Sequence, residues 1–309
     1  MKYPTFFDPK NTLSLFCLQD KLNFLISLYR NSNLPKVLML SGDKGSGKFT
    51  LVNHFLHLIY DEINYKKDNK ISENSLFYKQ FSQDIFSNII YLKGSDYKNI
   101  KIEDIRNLKH KLRQSTVLDR DRFIILDDVE LFNKNSLNAL LKIIEEPGRN
   151  FFVLINNKSK PILETIKSRS IEIKIILNHQ EKLTIVNNLI KLFDSKPVLN
   201  YETTNLSPGN FIKFDYILNS NNINLIDDYI SNLSVLLNLY KKNKDILFLN
   251  VAFFLTDYYF KNKYEKDSLN NKNTYEIKKF IFKNLNDYLT LNLNHFSLIN
   301  AISNKLMYG

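Results

Sequence analysis

The chain has 309 residues and a formal charge of +11, from 43 Lys and Arg against 32 Asp and Glu. That length exceeds one small domain and suits two or three. The charge suits an acidic partner such as nucleic acid, although Lys, Asn and Ile abound along the whole chain, as a compositional bias would make them. A single cysteine, Cys17, excludes a disulfide within the chain and fits a reducing compartment. The start, MKYPTFFDPK, has no apolar signal core, so a cytoplasmic protein is expected.

Val37 to Leu40 is a short apolar run that predicts a strand. Gly42-Asp43-Lys44-Gly45-Ser46-Gly47-Lys48-Phe49-Thr50 follows, then a helix with Leu51, His54, Phe55 and Leu58 on one face. Strand, glycine loop and helix form the setting that a phosphate-binding loop requires. Gly42, Gly45 and Gly47 let backbone N–H groups turn towards a phosphate, and the helix N-terminus adds a favourable dipole. Lys48 would reach the β- and γ-phosphates. The next position departs from the pattern: a Ser or Thr hydroxyl is needed there for magnesium, and this chain has Phe49. Thr50 lies about 100° further round the helix and cannot simply take over. Phe49 either packs in the core or crowds the metal position. ATP binding is therefore expected to be weak or absent, with magnesium present only alongside nucleotide.

Further strands are predicted near 88–92, 123–127, 151–156 and 171–176. Phe123 to Leu126 is continuously apolar, as in a strand covered on both faces, and runs into Asp127 and Asp128. Carboxylates at such a strand end sit where open α/β sheets bind ligands. Asn133 or Asn135 can cap the next helix. Leu137, Leu140, Leu141 and Ile144 make its apolar stripe, and Pro147 and Gly148 stop it. Phe151 to Ile155 is the next strand, with Asn156 and Asn157 at its tip. Ser168-Arg169-Ser170 then precedes Ile171 to Ile175, which alternates with period two.

These residues carry a family resemblance. NALLKIIEEP, FFVLINN and IKSRS, with IEDIRNLKHKL ahead of the Asp127 strand, resemble the clamp-loader branch of the AAA+ ATPases. The resemblance is clear up to the fifth strand and thin beyond it. It implies an α/β P-loop AAA+ domain with a five-stranded parallel sheet over 1–176. A small helical lid over 177–221 and an all-α collar, the oligomerisation domain, over 222–309 would follow.

The resemblance also assigns roles. Asp127 matches the metal-side carboxylate. Asp128 stands where a Glu should activate water, and is about 1.5 Å shorter in reach. Errors of ~1 Å can cost on the order of 10²-fold. Glu130, in a turn, is expected to point elsewhere. Asn157 matches the sensor-1 position, although an Asn at a strand tip is also a plain turn residue. The lid start Leu206-Ser207-Pro208-Gly209-Asn210-Phe211 offers Gly209 or Asn210 where active relatives place an arginine, with only Lys213 basic nearby. Ser168-Arg169-Ser170 matches the family's Ser-Arg-Cys motif with Ser170 for Cys. Arg169, with Ser168 beside it, would then be a finger reaching into a neighbour's ATP site, worth roughly 10³–10⁵ in rate where such fingers are well studied. The plain alternative is an ion pair with Glu164 or Glu172, usually worth under about 1 kcal/mol.

Some chemistry is excluded. Relatives carry a four-cysteine zinc module where this chain has Asp61 to Asn88, so no zinc is expected there. His54, His57, His110, His179 and His295 show no metal spacing, and His54 reads as packing or surface. Lys109, Lys111, Arg113, Arg120 and Arg122 read as a solvated helix face and loop, with DNA contact as the alternative.

Beyond Ile176 the pattern is helical, at 180–193, 208–218, 224–241, 244–262, 274–290 and 294–307, with Lys263 to Asn273 as a polar surface loop. Ile246 to Phe260 is too short and too polar to span a bilayer. Tyr258, Tyr259, Phe260, Phe280 and Phe282 are expected in the core more than at an interface, with some facing partners if a collar forms. The resulting expectation is a non-hydrolysing ring subunit. Its partners would be motor and delta-type subunits of a pentamer, with the sliding clamp and primed DNA reached through the assembly and no membrane. The rivals are an ATP-hydrolysing AAA+ motor and a DNA-binding adaptor.

Overall fold

Five short runs rich in Ile, Leu, Val and Phe form one parallel sheet in the computed structural model, which describes residues 3–65, 69–94, 100–113, 120–225, 228–266, 271–291 and 293–308. The strands are β1 (Val37–Ser41), β2 (Ile89–Lys93), β3 (Arg122–Asp127), β4 (Asn150–Asn156) and β5 (Ile171–Lys174). Their order is β2-β3-β4-β1-β5, and every pairing is parallel. This is the five-stranded parallel sheet expected of an AAA+ domain, with strands where the sequence places them.

The central strand β3 shows how the sheet is held. Phe123 and Ile125 enter one apolar cluster, with Leu22 and Leu25 of α1 (Gln19–Arg30) and Leu51 and Phe55 of α2 (Lys48–Tyr60). Ile124 and Leu126 enter the cluster on the other face. Alternate side chains of a strand point to opposite faces, so an unbroken apolar run feeds two cores. The region between β1 and β2 includes a helix that the sequence reading did not foresee, α3 (Leu76–Ser82), capped by Ser75. Its Phe77 and Phe81 close on His57 and Tyr60 of α2; the His57 and Phe77 ring centroids are 4.7 Å apart.

On the second face lie α4 (Ile102–Arg113) and α5 (Lys134–Ile144), through Ile105, Leu108, Leu137, Leu140 and Ile144. Asn133, one of the two candidate caps, accepts from the Ser136 N–H at 2.8 Å and starts α5. The short α6 (Glu164–Lys167) leads into β5, and α7 (His179–Leu192) follows it.

Contacts divide the chain into two units. One gathers the chain as far as Lys191 together with Ser207–Asn210; the other holds Leu192–Leu206 and the chain from Phe211 onward. The second unit is helical. From Phe211 within α8 (Pro208–Ser220) it continues through α9 (Tyr229–Asn243), α10 (Ile246–Lys266), α11 (Asn271–Leu291) and α12 (His295–Tyr308). Leu233, Leu237, Phe248, Leu249, Ile281 and Ile302 are each fully buried there.

Three expectations change in this unit. α9 starts at Tyr229, later than its apolar pattern suggests, because Asp228 caps it by accepting from Ile230 and Ser231 N–H groups. The polar loop expected over 263–273 is helical at both ends, since α10 runs to Lys266 and α11 begins at Asn271, while 267–270 lie outside the described residues. With no Gly or Pro to break them, these polar residues simply extend the helices. Of the five aromatics expected in the core, Phe260 alone is fully buried; Tyr258, Tyr259, Phe280 and Phe282 are half-buried. Among the described residues no helix is long and apolar enough to cross a membrane.

Candidate functional site

Parallel pairing brings the C-terminal ends of β1, β3 and β4 to one edge of the sheet. The glycine loop leaves β1, Asp127 ends β3, and Asn156 ends β4. The Gly42 N–H donates to the Asn156 carbonyl at 3.2 Å. Gly42 also lies so close to the chain leaving β5 that a Cβ there would meet the Ile175 carbonyl oxygen at 2.4 Å. Gly45 has φ +84, a left-handed conformation that favours glycine. Gly47, the residue before α2, completes the loop, and Thr50 sits half-buried in the first turn of that helix.

Lys48 turns back into its own loop. Its ammonium donates to the carbonyls of Gly42 at 2.9 Å and Asp43 at 2.6 Å, with the Ser46 hydroxyl at 3.4 Å. The side chain is buried. Desolvation lowers its pKa to about 8, against the opposing pull of Asp127, Glu130, Asp43 and Asp128.

Phe49 takes the first of its two expected fates. It is 7% exposed and belongs to the core cluster on the α2 face. Its ring meets Tyr91 of β2 edge-on, with centroids 5.2 Å apart. The Tyr91 hydroxyl donates to Asp127 Oδ2 at 3.0 Å, and the Asp128 N–H donates to Asp127 Oδ1 at 2.9 Å. Burial, and then the neighbouring Asp128, raise the Asp127 pKa to about 6; Lys93 and these hydrogen bonds oppose the rise. Both oxygens of the expected metal-side carboxylate thus have partners from the protein.

Asp128 adopts a left-handed backbone, φ 52, and is 1% exposed. Its Oδ1 accepts from the Asn157 side-chain amide at 2.6 Å and lies 3.5 Å from the Lys44 ammonium. Glu130 does not point elsewhere. The single turn of 3-10 helix over Val129–Leu131 swings it inward, where it is 4% exposed. Its Oε1 accepts from the Asn157 N–H at 3.2 Å and the Ser159 hydroxyl at 2.8 Å.

The segment expected to start the lid closes over the loop. The Ser207 hydroxyl donates to the Lys44 carbonyl, and the Gly209 N–H donates to the Gly45 carbonyl at 2.9 Å. The loop therefore spends four carbonyl oxygens on the protein itself: those of Gly42 and Asp43 on Lys48, and those of Lys44 and Gly45 on Ser207 and Gly209.

Ser168 and Arg169 share no hydrogen bond with this cluster among the described residues. They follow α6, and Arg169 pairs with neither Glu164 nor Glu172. Glu164 holds Lys167 at 2.7 Å, and Glu172 accepts from the Ser41 hydroxyl. Arg169 instead reaches Glu145, its Nε at 2.9 Å and its Nη2 at 2.7 Å from Oε1. Its Nη1 donates to the Thr165 carbonyl at 3.1 Å. Sequence reading gave no role of their own to Tyr91, Lys44, Ser207 and Glu145. Tyr91 alone left a signal: it alternates with Ile89 in a strand beside β3, which puts it on the α2 face.

The chain is similar to several known proteins. The profile of the family described as "DNA polymerase III, delta subunit" matches residues 18–178. A DNA polymerase III subunit gamma of Buchnera aphidicola subsp. Acyrthosiphon pisum is 27% identical over 150 residues, 47% of this chain and 39% of that protein. A DNA polymerase III subunit delta' of Pseudomonas aeruginosa is 36% identical over 76 residues, 24% of this chain and 23% of that protein. The chain spans 39% and 53% of the lengths of two Buchnera gamma subunits. A solved DNA polymerase III gamma-subunit-related protein of Thermotoga maritima aligns with 91% of this chain and 98% of its own, at 16% identity and a TM-score of 0.43.

Proposed function

The chain belongs to the DNA polymerase III delta-subunit family, and we propose that it is the delta-prime type of clamp-loader subunit: a ring member that does not turn over ATP itself and lends Arg169 to the ATP site of an adjacent motor subunit. In this reading it helps load the sliding clamp onto primed DNA during replication.

One observation carries the first half of the reading. Where magnesium needs a hydroxyl, a phenyl ring is seated on Tyr91, and the same tyrosine holds Asp127. Refilling that position with a hydroxyl would open a hole in the core, and Asp127 would have to exchange its tyrosine for a cation. Asp128 adds a shortened carboxylate already bonded to Asn157. No arginine stands at the lid start, where Ser207 and Gly209 grip the loop instead. ATP binding here is weak or absent. The second half rests on Arg169, a partly exposed guanidinium outside the chain's own cluster, of the kind that stabilises charge in phosphoryl transfer.

The test is ATP turnover, first by the chain alone and then after reconstitution with motor subunits, clamp and primed DNA. The isolated chain is expected to show no turnover, and Arg169→Ala is expected to reduce the stimulated ATPase of the assembly by at least about tenfold while assembly persists. The intact glycine loop and Lys48 favour the rival motor reading. Steady hydrolysis by the isolated chain that Lys48→Ala abolishes would establish that rival.

A further inference from the structure

The geometry points to Glu145 as the positioning residue for Arg169: it holds one edge of the guanidinium so that the remainder is presented outward in a fixed orientation. This rests on the proposal that Arg169 acts in trans.

Glu145 stands on firm ground. It is the C-cap of α5, the helix whose Leu137, Leu140, Ile143 and Ile144 are buried against the sheet. The other end of α5 is fastened by Asn133 and Ser136, which both donate to the Ile100 carbonyl, at 2.8 and 2.7 Å. Pro147 and Gly148 end the helix path immediately afterwards. A carboxylate at a helix C-terminus faces the negative end of the dipole and gains from a cation beside it. Arg169 supplies that cation.

The contacts divide the guanidinium. Nε donates to Glu145 Oε1 at 2.9 Å, and Nη2 lies 2.7 Å from the same oxygen. Nη1 reaches the Thr165 carbonyl at 3.1 Å, with the Ser168 hydroxyl at 3.4 Å. A guanidinium carries five N–H donors. These contacts account for at most four of them, and the remainder includes an N–H on Nη2. Arg169 is 37% exposed and Glu145 46%, so an incoming anion can reach the group. An ion pair this wet contributes little to folding. What it does is remove the freedom of a long side chain, so that the finger meets a phosphate already oriented. This also gives Ser168 a part, since its hydroxyl lies 3.4 Å from Nη1.

The experiment is a double-mutant cycle in the reconstituted assembly of motor subunits, this chain, clamp and primed DNA, read as ATPase kcat and KM. Glu145→Ala is expected to lower kcat by about tenfold with KM for ATP unchanged, and Glu145→Gln, which keeps an acceptor oxygen, to lower it less. In an Arg169→Ala background, Glu145→Ala should cause no further loss. The proposal is overturned if Glu145→Ala matches wild type while Arg169→Ala collapses the rate, or if Glu145→Ala raises the rate, which would make Glu145 a restraint rather than a guide. A loss that persists undiminished without Arg169 also overturns it, since that marks a merely structural role. If Arg169→Ala leaves the rate unchanged, the finger itself falls and this inference falls with it.

Discussion

Phe49 meets Tyr91 edge to face, centroids 5.2 Å apart, and Tyr91 in turn holds Asp127 through a 3.0 Å hydrogen bond. The residue that stands where the motif wants a magnesium-binding hydroxyl is thereby built into the core. Phe49→Thr would put a hydroxyl where the motif wants one. The expected result is a loss of stability of about 3–5 kcal/mol, as for other large-to-small changes of a buried Phe, with no gain of ATP turnover. Urea unfolding and a turnover assay check the two halves. A stable Phe49→Thr chain that hydrolyses ATP would contradict both.

Asp127 is a buried carboxylate with no metal role in the proposed function. Burial, and then Asp128, raise its pKa to about 6, so folding destabilises its charged form, which still predominates at neutral pH. Asp127→Asn removes that charge and keeps one acceptor for the Asp128 N–H. Stability at pH 7.5 is expected to rise by about 1–2 kcal/mol, with assembly and stimulated ATPase intact. In a motor subunit the same change would abolish turnover. A fall in the midpoint of thermal unfolding, or loss of the assembly's activity, would count against the reading.

His54 and His57 are almost wholly buried, and desolvation lowers their pKa values to about 3 and about 4. The unfolded chain takes up protons on both below pH 6.5, and the folded chain does not. Their contribution is full above about pH 6.5 and is lost as pH falls towards 4, at about 1.4 kcal/mol per histidine per pH unit. Asp127 works the other way. Its raised pKa lets the folded chain take up a proton between about 6 and 4, which favours the folded form as pH falls. Urea midpoints at pH 7.5, 6.5 and 5.5 should therefore decline, and His57→Phe, which keeps the ring among Phe77 and Phe81, should flatten the decline. An unchanged slope in that variant would show that other groups set it.

Gly45 sits under Ser207 and Asn210. A Cβ there would lie 2.5 Å from the Ser207 hydroxyl oxygen and 2.8 Å from the Asn210 nitrogen, on a backbone with φ +84. Gly45→Ala is expected to cost about 1–3 kcal/mol and to release the Gly209 N–H from the Gly45 carbonyl. Amide hydrogen exchange reads this directly: the Gly209 amide should lose protection while those of β3 keep theirs. Equal protection in both proteins would show that the segment is held by something else.

The sequence made the sheet legible because buried parallel strands write themselves as unbroken apolar runs, as in Phe123 to Leu126. The glycine loop was legible because its turn leaves few residue choices. The fate of Phe49 was not, since deciding between core and metal position required Tyr91, 42 residues away and joined to it only by the sheet. Glu130 misled because a single 3-10 turn after a left-handed Asp128 reverses the direction that a simple turn would give it. Arg169 misled through proximity. Glu164 and Glu172 are near in sequence but engaged elsewhere, by Lys167 and Ser41, whereas Glu145 is brought in by the packing of α5.

Gly42 leans on the carbonyl of Ile175, and the Ile175 N–H in turn donates to Ser41 at 2.7 Å. The first glycine of the loop is therefore shaped by the chain that runs from α6 past Arg169 and through β5 to Ile175. The glycine loop is not free to drift: a side chain at Gly42 would push on the chain at the C-terminal end of the strand that follows Arg169. In the proposed function the loop would serve as masonry under a neighbour's chemistry, and its wear would show first in another subunit's rate.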